Sequence, residues 1–312
     1  MATVTPGAAI PRRGGSRLLR REAIAFYLFA SPWLIGLVVL EIGPIIASAV
    51  LSLTDYPLIV APRWVGLANY EHMLFDDELV WQALKVTTLY CLGAIPLGVI
   101  ASFLLALLLN LPIRGVAGYR TIYYLPSVIS GVPVALLFLW ILNPEFGVVN
   151  GALRAIGIQN PPQWLFSQEW VIPALVLLSL WGVGGAMIIY LAGLQGIPQH
   201  LYEAAEIDGA GWWAKFVNVT VPMVSPVIFF NVIISVIGAF QIFTPVFIMT
   251  QGGPANASLV YVYYLYNNAF RWFKMGYASA LAWLLFFVIM ALTLLIIRSS
   301  AAWVYYEGKL RG

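Results

Sequence analysis

VTTLYCLGAIPLGVIASFLLALLLNLPI, from Val86 to Ile113, runs for 28 residues without an Asp, Glu, Lys or Arg. An ionised side chain at the centre of a bilayer costs about 3 kcal/mol or more, and about 20 apolar residues span the hydrocarbon. The stretch therefore reads as a membrane crossing. Working outward, Ala23 to Leu40 continues past one charge, Glu41, into Ile42 to Thr54. Thr121 to Pro144 supplies 24 charge-free residues, Trp170 to Tyr202 supplies 33, and Met275 to Ile297 closes the series. Phe216 to Phe270 is longer, at 55 residues, but the breaker string QGGPANAS at Gln251 to Ser258 limits its helix to about Ser225 to Thr250. Six transmembrane helices are predicted, in an all-α polytopic membrane protein. Apolar residues fill consecutive positions rather than every second one, which argues against a β-barrel.

Composition agrees. Of the 312 residues, 62% are hydrophobic and 9% charged, with a mean hydropathy of +0.89, whereas soluble domains carry about 25% charge. One cysteine, Cys91, excludes a disulfide-stapled scaffold, and a net charge of +3 spread along the chain argues against a nucleic-acid binder.

Lys and Arg set the orientation. Arg12, Arg13, Arg17, Arg20 and Arg21 in the tail, Arg114 and Arg120 in the second connection, Lys215 in the fourth, and Arg298, Lys309 and Arg311 after the last span make up 11 of the 16 basic residues. That side is predicted to be cytoplasmic, with both termini on it. The first apolar stretch exceeds a signal-peptide core and lacks a clear small-residue cleavage site, so it reads as a retained anchor. Residues 1–22 then form a basic cytoplasmic tail, and 23–312 the transmembrane domain.

The chemistry that is missing narrows the function. Glu41 stands alone within the spans, and is expected to reach water near the outer end of the first helix, just before a Gly43-Pro44 break. His72 and His200 lie in connections. The chain has no GxxxxGK[ST] phosphate loop and no HExxH, and a single cysteine cannot build a thiolate cluster. Energy for uphill transport would have to come from a partner.

The connection 197–222, within GIPQHLYEAAEIDGAGWWAKFVNVTVPMVSP (Gly196 to Pro226), is too structured for a simple turn. Pro198 suits the first turn of a helix, Leu201, Ala204 and Ala205 form a small apolar stripe, and Gly209 after Asp208 suits a left-handed C-cap. Trp212, Trp213, Phe216 and Val217 offer a second apolar face before Pro222, predicting a helix, turn and helix beneath the membrane. Three carboxylates against Lys215 oppose the positive-inside trend and favour contact with protein over lipid headgroups. An interfacial amphipathic helix with no partner is the plainer alternative.

EAAEIDGA, with Phe216 and VTVP ending at Pro222, resembles the EAA loop of inner-membrane subunits of binding-protein-dependent ABC importers. WVGLANY (Trp64 to Tyr70), Tyr119 to Asn150, GGPANAS (Gly252 to Ser258) and MGYASAL (Met275 to Leu281) resemble the sugar-importer branch, of the maltose and glycerol-3-phosphate uptake type. The GGP segment resembles the first of the two paired permeases of such systems. The resemblance implies that Glu203, Ala204, Ala205, Asp208, Gly209 and Ala210 couple the chain to a cytoplasmic ATPase. It implies as partners a second permease, two ATPase subunits that hold the ATP and Mg, and an extracytoplasmic solute-binding protein, with no cofactor in this chain. It further implies a prokaryotic inner membrane, and a carbohydrate or polyol-phosphate as cargo.

Two places suit a substrate cavity: Gly182 and Gly185 within Trp181 to Gly185, and Asn231, Ser235, Gly238 and Gln241 in the fifth span. Ser235, Gly238 and Gln241, spaced by three, are predicted to share one helical face. Close helix packing by small residues is the alternative for each. An ion-coupled carrier working alone is the rival function and a membrane-embedded enzyme a weaker one, both opposed by the shortage of intramembrane ionisable groups.

Overall fold

The computed structural model describes residues 17–129 and 131–305. Arg12, Arg13, Lys309 and Arg311, and with them most of the 1–22 tail, lie outside the described residues. Ten helices carry the argument: α1 (Leu19–Leu51), α2 (Glu78–Leu109), α3 (Val116–Val128), α4 (Gly131–Ile141), α5 (Val148–Ala155), α6 (Val171–Gln195), α7 (Gln199–Ile207), α8 (Trp212–Phe240), α9 (Tyr261–Tyr266) and α10 (Met275–Trp303). Of these, α1, α2, α6, α8 and α10 are each long and apolar enough to cross a membrane, and the bent pair α3 and α4 meets the same test when its halves are taken as one span, which makes six. The all-α, six-crossing class expected from sequence is borne out.

Three details differ from the sequence expectation, and proline chemistry accounts for each. Gly43-Pro44 does not break α1, nor does Pro222 separate a surface helix from the fifth span. A proline lacks an N–H and its ring clashes with the carbonyl four residues earlier. Here the helix widens into a π-turn just ahead of each ring, with Gly43 N–H donating to the Val38 carbonyl and Val221 N–H to that of Phe216. The helix therefore stays continuous from Trp212 to Phe240, starting earlier and ending earlier than the expected Ser225 to Thr250. By contrast, the third crossing is broken, its halves bent by 97°. In a continuous helix Pro133 would crowd the carbonyl of Ile129, and here Ile129 leaves the helix at ψ 131°. Pro133 then sits in the first turn of α4, where a missing N–H costs nothing.

The central helix is α2. It packs along α6, α8 and α9, and buries Val80, Ala83, Val86, Tyr90, Cys91, Ala94, Ala106 and Leu109. Around it, α10 lies against α8 and the second half of α1, while α3 crosses α6. No residue of α1 is fully buried, and its first half leaves most of its apolar surface uncovered by the described residues.

One carboxylate ties the bundle together at the end opposite 197–222. Asp77 Oδ1 accepts from Leu79 N–H at 3.0 Å, capping α2. Its Oδ2 accepts the Tyr264 hydroxyl of α9 at 2.6 Å and the Tyr277 hydroxyl of α10 at 2.5 Å. Burial first, and then the Asp77 hydrogen bond, push the Tyr264 hydroxyl far above the ordinary tyrosine range, so it remains a donor.

The closest helix crossing depends on Gly184. A Cβ there would overlap the carbonyl oxygen of Tyr123 in α3, whereas a Cβ at Gly182 meets open space. Gly184→Val is expected to destabilise the purified protein by about 1–3 kcal/mol, seen as a lower thermal midpoint in detergent, with Gly182→Ala leaving the midpoint unchanged. Equal midpoints for all three proteins would show that the crossing is looser than described.

Candidate functional site: a polar cavity and an exposed connection

Two spans lose regular helical geometry, and they lose it at the same place. Leu180–Gly182 tightens into a 3₁₀ turn within α6, with Gly182 at φ −90° and ψ 6°. Past Phe240, residues 241–243 are not helical, and the chain resumes a helix at Thr244 that ends in the π-turn Val246–Thr250. Both irregular segments line one cavity of about 430 Å³, closed on a third side by α2.

The cavity wall is short of side chains at Gly98, Gly182 and Gly238, and carries polar groups from Ser102, Ser179, Asn231, Ser235, Gln241 and Thr244. Some of these are occupied within their own helix. Ser102 bonds the Gly98 carbonyl at 2.6 Å, Ser179 that of Val176 at 2.6 Å, and Asn231 that of Val227 at 2.9 Å. The Ser235 hydroxyl, the Gln241 amide and the Thr244 hydroxyl make no hydrogen bond to the protein among the described residues. Helical serines usually satisfy themselves on a preceding carbonyl, as Ser225 does on Pro222 at 2.6 Å. The three free groups therefore present unused hydrogen-bonding capacity to the cavity.

Of the residues proposed from sequence, Gly182, Ser235, Gly238 and Gln241 line this cavity together. Gly185 does not. Three residues on from Gly182 it lies about 60° around the helix, and a Cβ built there falls 3.8 Å from that of Ser127 in α3. Gln241 reaches the cavity although it lies beyond the last helical residue, at φ −99° and ψ 15°. The wall contributed by α2 was missed from sequence. Its signal was present: Ala94, Gly98 and Ser102 repeat small residues every four positions in a span otherwise rich in leucine.

The connection 197–222 forms the second candidate. After Pro198, α7 runs to Ile207 and ends in a Schellman turn: Ala210 N–H donates to the Ala205 carbonyl at 2.8 Å and Gly209 N–H to that of Glu206 at 3.0 Å. Gly209 has φ +78°, where a side chain would be strained. Two contacts fix α7 on the base of α8: the Tyr202 and Thr220 hydroxyls at 3.0 Å, and Lys215 Nζ to Glu206 Oε1 at 2.7 Å. Glu206 is thus committed within the chain, while Glu203 and Asp208 are exposed and unpaired among the described residues. Beside them Ile207 is 87% exposed, an apolar side chain far outside any core of this chain.

The protein families and structures that match this chain agree on one identity. Residues 92–306 match the family described as binding-protein-dependent transport system inner membrane component. A probable ABC transporter permease protein of Bacillus subtilis, YesP, is 41% identical, covering 94% of this chain and 96% of that protein. The lactose transport system permease protein LacF of Rhizobium radiobacter is 36% identical, covering 90% and 95%. The arabinooligosaccharides transport system permease protein AraP of Bacillus subtilis is 32% identical, covering 96% of each. Among solved structures, a bacterial ABC transporter involved in import of the acidic polysaccharide alginate superposes with a TM-score of 0.78 at 26% identity, covering 92% of this chain and 99% of that one. The chain therefore belongs to the inner-membrane components of binding-protein-dependent transport systems, and is a non-catalytic ABC importer permease rather than an enzyme or a carrier working alone.

Proposed function

We propose that this permease passes a carbohydrate inward across a prokaryotic inner membrane, through the cavity between α2, α6 and α8. The observation that carries the reading is the set of unbonded Ser235, Gln241 and Thr244 groups where two spans open their backbones. A sugar entering the membrane gives up hydrogen bonds to water, and each group left unsatisfied costs roughly 1–3 kcal/mol. Small neutral donors and acceptors offset that loss without holding the substrate too tightly to release it. The names of the relatives support the class, since lactose and arabinooligosaccharides are both carbohydrates.

The partners in this reading are a second permease, two cytoplasmic ATPase subunits and an extracytoplasmic binding protein, this chain being the first of the permease pair. The alginate transporter was solved with its pentasaccharide-bound periplasmic protein, which supports the last of these. ATP and Mg belong to the ATPases, since this chain has no phosphate-binding loop. Both termini and the connection 197–222 face the cytoplasm, where Glu203, Ala204, Ala205, Asp208, Gly209 and Ala210 dock on an ATPase. Exposed Glu203, Asp208 and Ile207 supply charge and apolar contact. The docking site is joined to the cavity by a single element. Helix α8 starts at Trp212, within the connection, and ends at Phe240, next to Gln241. At 1.5 Å per residue it spans about 43 Å, so a displacement of α7 by the ATPase moves the cavity wall directly.

Three outcomes are expected. Single cysteines at Asp76 and Gln251, in a background lacking Cys91, should react with an impermeant thiol reagent from outside sealed cells; labelling of a cysteine at Gly209 from that side would reverse the topology. Gly209→Val strains the left-handed turn by about 1 kcal/mol or more and Glu203→Lys reverses a docking charge. Both should insert normally yet recover less ATPase on co-purification, and normal recovery and uptake in both would remove the docking assignment. Gln241→Leu and Gly238→Leu should lower sugar uptake by the reconstituted complex at least severalfold while leaving binding-protein affinity unchanged; normal uptake in both would move the substrate path elsewhere.

A further inference from the structure

Beyond the cavity, the chain between Phe243 and Phe270 carries a run of aromatic rings that the transport reading has not used. Phe243 and Phe247, one turn apart at the start of the resumed helix, stack with centroids 5.2 Å apart. Tyr266 of α9 lies against both, at 5.1 Å from Phe243 and 5.3 Å from Phe247, and Phe270 follows Tyr266 at 5.2 Å. The strip is not sealed into a core. Phe247 is 36% and Phe270 55% exposed, and Tyr266 is half-buried. Its neighbour Tyr263 is different: it is buried, and its hydroxyl accepts from Arg271 at 3.2 Å, so it backs the strip rather than facing out.

Two observations identify what the strip takes. First, Phe243 belongs both to the strip and to the cavity lining, so the rings run without interruption from an exposed rim at Phe270 to the cavity lip beside Gln241. Second, the Tyr266 hydroxyl makes no hydrogen bond to the protein among the described residues, which leaves a polar handle in the middle of an apolar surface. Aromatic faces carry partial negative charge, and the C–H face of a pyranose or furanose ring carries the opposite sign. Rings with a free hydroxyl also suit a membrane interface; it is the continuity of this strip with the polar cavity, through Phe243, that favours a sugar chain over lipid.

We propose that Phe270, Tyr266, Phe247 and Phe243 form a stacking track that holds the successive units of an oligosaccharide as its leading unit enters the cavity. The proposal rests on the carbohydrate reading and sharpens it: the track makes this permease selective for chain length. Stacking is tolerant of which hydroxyls a sugar bears, so the track recognises how many rings follow, while Ser235, Gln241 and Thr244 meet the leading one.

The test uses the whole complex, with its binding protein, in proteoliposomes. The probes are labelled glucose, arabinose and uronic-acid oligosaccharides from dimer to pentamer. Phe247→Leu and Tyr266→Leu should each lower pentamer uptake about tenfold relative to dimer uptake, the size of a lost ring contact or two; the ring-retaining Phe247→Tyr should keep the wild-type profile, and Tyr266→Phe, which keeps the ring and loses the free hydroxyl, should fall between wild type and Tyr266→Leu. A wild-type length profile in both leucine variants overturns the track alone. Loss of the second permease on purification, with uptake of all lengths falling together, assigns this face to subunit packing and also overturns the track. Failure of the wild-type complex to move any of the oligosaccharides overturns the carbohydrate reading, and the track with it.

Discussion

Inside a bilayer no water is present to bond a free backbone group, so every N–H and C=O must find its partner within the protein. That constraint organises the chain. Prolines recur in its spans, and each would free a carbonyl and bend the helix. At Pro44 and Pro222 the helix absorbs the ring in a π-turn and keeps going. Backbone irregularity without such repair is confined to a few places, and two of them, 180–182 and 241–243, face the same cavity. Open backbone at membrane depth is tolerable only against protein or a polar space. The cavity is both the consequence of these breaks and the condition for them.

The same economy governs charge. The described residues place Asp77 at the end of α2, where it is met by a backbone N–H and two tyrosine hydroxyls drawn from α9 and α10. Removing the carboxylate would leave buried hydroxyls without an acceptor, and an unsatisfied buried donor costs more than a satisfied one contributes. The site joins residues far apart in sequence, and so fixes how the segment after the Gln251 to Ser258 loop returns to the bundle. Loop and segment are further braced by Ser258, whose hydroxyl reaches Gly253 and Thr250 at 2.6 and 2.8 Å.

The number and class of the spans were legible because they depend on a bulk property, the absence of charge over about 20 residues. The left-handed Gly209 was legible because turn chemistry is local. What stayed hidden depended on contacts or on fine backbone geometry. A proline's residue type does not say whether it ends a helix or widens it: the sequence reads Pro222 as a boundary and Pro133 as part of an unbroken span, and the structure reverses both. Gly182 and Gly185 look alike in sequence, and only the packing of α3 separates the one that opens on the cavity from the one that meets Ser127. Glu203 and Glu206 also look alike. Lys215, nine residues beyond Glu206, neutralises one and leaves the other free.

The distribution of ionisable groups explains why a permease of this kind needs an external source of energy. Proton-driven carriers require titratable groups within the path, and those groups are carboxylates or histidines in low dielectric. Among the described residues Glu41 is the one carboxylate away from the ends of a crossing helix; it is exposed on α1, and the cavity is lined by residues that are all neutral. No carboxylate or histidine lines that cavity, so it offers no proton relay. The cavity does have a continuous helix, α8, leading from its wall to the exposed connection at the opposite end. A neutral path whose wall continues as one helix to the exposed connection is the arrangement that the proposed docking of an ATPase on α7 would use.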